Sequence, residues 1–282
     1  QLLLTPWITN NKDDVRLKSL VEQYRQLEQK VQASQAVNGM VDADEGINYR
    51  VNIRGDFHTL GDQVPRGYLR ILSKGAGPFK DSGSGRLELA DHIASSANPL
   101  TARVFVNRIW YWLFGRGIVA TPSEFGHLGE QPSHPELLDW LTSEFIRNGW
   151  STRELVRLIV TSQTWQQSGK IKQRAIDNDP ENRMLHHFPT RRLDAESIRD
   201  AILAVSGRLD RSLYGPTSDP YRNNEDKTKR LFLGPVDGNG RRSIYTKVTI
   251  LEQCKFMSLF NQPQPKIPSG RRDVTNTPAQ SL

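Results

Sequence analysis

Between residues 14 and 33, apolar side chains recur at steps of three and four: Leu17, Leu20, Tyr24, Leu27 and Val31, with Lys18, Glu22, Glu28 and Lys30 between them. This stripe predicts an amphipathic helix of two heptads. A helix of that length is marginal alone, so it calls for a partner surface. The pattern then lapses. Val51-Asn52-Ile53 is strand-like, while Gly55, Gly61, Pro65, Gly67, Gly75, Gly77 and Pro78 punctuate residues 34–85. Residues 46–85 therefore read as an extended connector lying along the body, with a mobile loop at 74–85.

From residue 86 helical signals dominate. A short helix is expected over 86–95. Asn98-Pro99 offers a cap and a first-turn proline for a helix over 100–114, with Gly115 as the stop. Ser133-His134-Pro135-Glu136 and Ser151-Thr152-Arg153-Glu154 have the form of capping boxes, the first opening a helix that ends at Gly149. Asp194 is placed to cap another helix that Gly207 ends, with Leu193 and Ile198 as a staple across it. A β element is expected where 230–233 and 243–248 flank Asp237-Gly238-Asn239-Gly240, and a last helix at about 250–260 leads into a Pro-rich tail. The fold class predicted is mainly α, a helical domain with a small β-hairpin, preceded by an N-terminal helix and an irregular connector. The boundaries expected are 1–45 for a helical arm ending an upstream domain, 46–85 for the connector and 86–282 for the domain.

Composition narrows the function little. The 282 residues carry 38 Lys+Arg against 31 Asp+Glu, a formal charge of +7. An excess of this size favours anionic partners without choosing among them. The single cysteine, Cys254, excludes an intrachain disulfide and a Cys-based zinc site, and its apolar neighbours suggest a buried, inert thiol. Without Cys-x-x-Cys-His the segment lacks the thioether motif for haem. No run of about 18 apolar residues is present, so no membrane span is expected. A start on Gln1 and an end just after Thr277-Pro278 read as cuts within a longer protein.

Several separated motifs carry a family likeness. Asn98-Pro99-Leu100-Thr101-Ala102-Arg103-Val104 leads to Asn107-Arg108-Ile109-Trp110 and Phe114-Gly115-Arg116-Gly117-Ile118-Val119. Phe125-Gly126, Pro132-Ser133-His134-Pro135-Glu136-Leu137-Leu138-Asp139-Trp140-Leu141 and Gly149-Trp150-Ser151 follow. Then come Leu158-Ile159-Val160-Thr161-Ser162, Arg191-Arg192-Leu193-Asp194-Ala195-Glu196, Ile198-Arg199-Asp200, Arg241-Arg242-Ser243-Ile244-Tyr245, Gly270-Arg271-Arg272 and Thr277-Pro278. Over about 86–282 this resembles the planctomycete-specific C-terminal domain of unknown function found downstream of planctomycete cytochrome c-like domains. Arg54-Gly55-Asp56 and Val64-Pro65-Arg66-Gly67 resemble the segment that precedes it. The resemblance implies an exported, multidomain protein of the periplasm or cell envelope, with haem on an upstream domain and no cofactor in this segment. It implies no known reaction.

Three arginine pairs, Arg191-Arg192, Arg241-Arg242 and Arg271-Arg272, lie on separate elements, and Arg108 and Arg199 sit mid-helix. Guanidinium forks bind carboxylate, sulfate or phosphate in a bidentate way, so convergence of Arg108, Arg191, Arg192, Arg241, Arg242, Arg271 and Arg272 would create an anion pocket. The competing reading ties each to a nearby carboxylate: Asp194, Glu196, Asp200 or Asp273. Glu196 and Asp200, four apart on one helical face, and Glu124 are the candidate acid–base carboxylates; a salt-bridged face is the alternative. His127 and His134 with Glu124, Glu130 and Glu136 lack a metal-ligand spacing, and His186 and His187, read as extended neighbours, are expected to point apart. No metal site is therefore assigned. Trp110, Tyr111, Trp112, Phe114, Trp140, Trp150 and Trp165 read as core, with Tyr111 or Trp112 turned outward.

The leading functional expectation is a non-catalytic or accessory module of a multidomain bacterial cell-envelope protein. It would bind acidic polysaccharide through the arginine pairs or organise an upstream haem-bearing domain. The rival is an enzyme acting on polysaccharide through the carboxylates. Nucleic-acid binding lacks any signature beyond net charge.

Overall fold

The computed structural model describes residues 39–42, 45–73, 75, 77–80, 83–222 and 233–281, together with Ser19, Leu20, Glu22, Gln23, Gln26 and Leu27, which are helical. The rest of the helix expected over 14–33 lies outside the described residues, as does part of the loop expected at 74–85.

The chain is mainly helical. Among the described residues two short strands, β1 (Arg50–Asn52) and β2 (Leu60–Gln63), pair antiparallel with Arg50 opposite Gln63. From residue 86 on, the described residues form eight α-helices: α1 (Arg86–Ala94), α2 (Thr101–Phe114), α3 (Pro135–Arg147), α4 (Thr152–Val160), α5 (Gln163–Gln166), α6 (Gln173–Asn178), α7 (Ala195–Val205) and α8 (Lys255–Leu259). The hairpin is thus in the connector, not where it was expected near the C-terminus. There, residues 230–232 of the first expected strand lie outside the described residues, Gly238–Gly240 and Ser243–Tyr245 form single 3-10 turns, and pairing among the described residues is two isolated parallel bridges, Asp210 with Arg241 and Ser218 with Thr246. Positive φ at Gly238, Asn239 and Gly240 curls this segment too tightly for a ladder to run past it.

α2, α3 and α4 enclose the core. α2 buries Ala102, Val106, Trp110 and Phe114 at four-residue steps, and these meet Leu138, Leu141 and Phe145 of α3 and Leu155 and Ile159 of α4. Phe114, Trp165 and Phe188 close one end with edge-on ring contacts. Trp112 and Trp140 face outward.

Local capping explains some helix starts and fails at others. Gly115 takes φ 84 to stop α2 and Ser151 accepts the Glu154 N–H at 3.3 Å, whereas Asn98 accepts the Leu100 N–H at 3.0 Å in the turn ahead of α2, whose cap position, Leu100, has no side-chain cap bond. Ser133 forms no capping box: its hydroxyl donates to the Ile118 carbonyl at 3.2 Å, its N–H donates to the same oxygen, and His134 is the cap position of α3. Asp194 occupies the cap position of α7 without a side-chain cap bond, because its carboxylate faces Arg272 at 3.9 Å. Leu193, the proposed staple, is 59% exposed. Cys254 is half-buried at the start of α8, not inside a helix.

The loop between α2 and α3 is pinned by Asn107, which is fully buried. Its side-chain N–H donates to the Val119 carbonyl at 3.0 Å and its oxygen accepts the Val119 N–H at 2.8 Å. Gly117 lies so close that an added Cβ would sit 2.8 Å from the Asn107 amide nitrogen and 2.4 Å from the Val119 carbonyl oxygen.

The connector is held by a different hub. Arg66 donates to the carbonyls of Gly83 (2.6 Å) and Lys80 (3.0 Å) and to the Asn48 side-chain oxygen. Tyr68 stacks on His92 of α1 at 5.1 Å and accepts a hydrogen bond from Asn98 at 3.0 Å, fixing the connector against the start of α2.

Replacing Asn107 with Ala or Leu strands both polar groups of Val119 in the core. We expect a loss of about 3 kcal/mol in unfolding free energy, measured by urea denaturation; a variant within about 0.5 kcal/mol of wild type would show that the clamp contributes nothing.

Candidate functional site

α7 carries the two candidate carboxylates. Alanine at 195, fully buried, seats the first turn on the body, and Glu196 and Asp200 follow one turn apart. Each receives a segment from the C-terminal third. Glu196 accepts Arg272 through both oxygens, at 2.5 and 3.1 Å, a bidentate pair. Asp200 accepts the Ser243 N–H at 2.7 Å, with Arg199 at 3.7 Å and Arg242 at 3.9 Å.

The electrostatics of the Glu196 pair follow from this packing. Burial pushes the Glu196 carboxyl up, but the hydrogen bonds and charge of Arg272, with a further bond from Gln262, outweigh it and hold the carboxyl below its ordinary value of 4.5. Burial likewise works against the Arg272 charge, and the hydrogen bond and charge of Glu196 more than compensate. The Arg272 guanidinium also lies 5.6 Å over the Trp112 ring, and the backbone N–H of Arg272 donates to the Tyr111 hydroxyl oxygen at 3.3 Å.

The remaining arginines act mostly on backbone. Arg191 donates to the Trp112 carbonyl at 2.5 Å. Arg192 reaches the Thr275 carbonyl (2.5 Å), the Asn261 side chain (2.9 Å) and the Gln280 side chain (3.3 Å). Arg241 donates to the carbonyls of Tyr214 (2.5 Å) and Pro216 (2.9 Å) and sits 4.1 Å over the Tyr245 ring. The segments holding Arg191, Arg192 and Arg272 meet along one seam: Arg191 and Arg272 both contact Trp112, and Arg192 holds the tail just beyond Arg272. Arg241 and Arg242 belong to a second cluster around Asp200 and Tyr245. Arg242, Arg271 and Arg108 are exposed. Glu124 is exposed on the loop before α3, where its backbone carbonyl accepts the Thr121 hydroxyl.

The sequence suggests Arg199 as a partner of the carboxylates on a salt-bridged helix face, and it does lie 3.7 Å from Asp200. In the structure it bridges three acceptors: the Asp237 carbonyl (2.6 Å), the Arg241 carbonyl (2.9 Å) and the Ser243 hydroxyl (3.1 Å). A Cβ at Gly238 would fall 2.5 Å from its Nη2, so a glycine is needed there twice over, for space and for φ 61. Asn261, at φ 63, was missed, although an asparagine just past the end of α8 with Pro263 two residues on is the local signal of a left-handed helix stop.

The histidines also differ from expectation. His186 and His187 do not point apart: their Nδ1 atoms lie 3.1 Å from one another, because Leu185 at φ 51 bends the chain before them. One Nδ1 must therefore carry the hydrogen that the other accepts. His186 Nε2 lies 3.1 Å from the Asp179 carbonyl. No group of three or more His, Cys, Asp or Glu suited to a metal ion occurs among the described residues, and no helix among them is long and apolar enough to cross a membrane.

Glu196→Gln breaks the bidentate pair. The depressed carboxyl contributes stability that is fully present above its ordinary value and is lost as pH falls through the lower, folded value. The expected result is a gap in melting temperature between wild type and the variant at pH 7 that closes as pH is lowered below about 4.5, read by thermal melts across the acid range. A gap independent of pH would exclude the carboxylate charge as its source.

Neither a curated protein nor a solved structure shows significant similarity to the chain. The PSD1 family model, described as a protein of unknown function (DUF1553), matches residues 85–282, a span that begins one residue before α1 and takes in the core, α7 and both arginine clusters. The chain therefore belongs to the PSD1 (DUF1553) family.

Proposed function

We propose that this domain is a non-catalytic accessory module of a multidomain cell-envelope protein, presenting a basic surface to acidic polysaccharide. The carrying observation is that Glu196 is bound through both oxygens by Arg272. Asp200 is likewise engaged by the Ser243 N–H. A general acid must hold and release a proton beside the scissile bond, and a carboxyl kept ionised by a bidentate arginine is poorly suited to that. The same pairs join separate segments of the chain, a structural task.

The polymer-binding part rests on Arg271, which is exposed, on Arg242, which is exposed although it lies 3.9 Å from Asp200, and on the net charge of +7. In this reading the protein is an exported planctomycete protein, any haem resides on an upstream domain, and the connector joins the two. The likeness in the motif series supports that context.

The test is binding to dextran sulfate and polygalacturonate at several salt concentrations. Wild type is expected to bind with affinity that falls steeply with salt, and the Arg242→Ala/Arg271→Ala double variant roughly tenfold more weakly, each exposed charge contributing up to about 1 kcal/mol. Absence of binding, or binding unchanged in the double variant, discards the proposal. Cleavage of either polymer that Glu196→Gln abolishes would replace it with the enzymatic reading.

A further inference from the structure

A cavity of about 340 Å³ lies between the connector and the first half of α2. Tyr68 and Leu72 line it from the connector; Leu100, Val104, Phe105 and Arg108 line it from α2 and its approach. Asn98 and Thr101 add polar edges to otherwise mostly apolar walls, and Arg108 is the one charged side chain lining it. Among the described residues Arg108 makes no hydrogen bond, ion pair or ring contact, unlike Arg103 one turn earlier, which pairs with Asp139.

We propose that this cavity binds a small organic carboxylate with an apolar body, its carboxylate held by the Arg108 fork and its body lodged against Phe105, Leu72 and Val104. The chemistry follows from the lining. A guanidinium bordering apolar walls favours an anion with matching planar geometry, and a carboxylate accepts two of its N–H groups in parallel. The volume is at the lower end of the range for small-molecule sites, about 300–1,000 Å³, which suits a compact ligand. Two neighbouring features keep the cavity formed without a ligand. Phe105 stacks on Phe145 at 5.0 Å, which fixes its ring, and Asn98 holds the Tyr68 hydroxyl at 3.0 Å while accepting the Leu100 N–H. Because one wall belongs to the connector and the other to α2, an occupant would fasten the two together. This site is independent of the polymer-binding arginines.

Calorimetric titration with phenylacetate and 3-phenylpropionate tests it, with 2-phenylethanol as the neutral isostere and inorganic sulfate as the bare anion. Both carboxylates are expected to bind, the alcohol and sulfate at least tenfold more weakly. Arg108→Gln, which removes the charge but breaks no contact in the fold, is expected to weaken carboxylate binding at least tenfold. Leu100→Trp, at the half-exposed rim, is expected to abolish it by filling the space, with Arg271→Gln unchanged as the control for general basicity. Melting curves show that the variants are folded. No carboxylate binding, equal binding by Arg108→Gln, or sulfate as tight as the carboxylates would overturn the proposal.

Discussion

The arrangement depends first on one buried amide. Asn107 gives its side chain wholly to Val119, and a fully buried primary amide tolerates no loose alternative, since each unpaired group inside the core costs about 1–3 kcal/mol. This fixes where the chain goes after α2. Val119 and Ile118 are held in the core, the Ile118 carbonyl then receives Ser133, and α3 starts from there. The same loop carries Ser123, whose hydroxyl oxygen accepts the Gly270 N–H at 3.0 Å, so the C-terminal tail is laid down against a surface the amide has set. Arg272, two residues later, reaches Glu196 only because that surface is in place.

Charge does the joining that apolar packing does elsewhere. The core belongs to α2, α3 and α4, while the segments after α7 contribute few buried apolar side chains, Met257 foremost. Guanidinium forks replace them. Arg192, Arg199, Arg241 and Arg272 each satisfy at least two acceptors, half of them backbone carbonyls of irregular segments and half side-chain oxygens. An excess of basic over acidic residues is therefore compatible with internal use of the arginines, and net charge alone is a poor guide to what such a domain binds.

Much of the helical part was legible. Asn98, Gly115, Ser151 and Gly207 act locally, and helix boundaries followed from them closely. Ser133 and Asp194 carried the same local signals, yet their side chains turned to tertiary partners, Ile118 and Arg272, which no local pattern encodes. The hairpin was misplaced because a Gly-Asn-Gly run signals left-handed backbone without saying whether strands continue on either side. At the candidate site the residue types were readable and the pairings were not. Glu196 and Arg272 are 76 residues apart, and Arg192 reaches residues 83 and 88 positions away. The resemblance identified the domain but could not supply those distances.

The spacing of Glu196 and Asp200 has a mechanical consequence. One full turn of α7 separates the anchor of the tail from the anchor of the 241–245 segment, so the helix works as a ruler: its pitch of about 5.4 Å sets how far apart two otherwise unconnected strips of chain are moored. A single residue added between them would swing one mooring about 100° around the axis and leave the two strips out of phase, whatever their own sequences were.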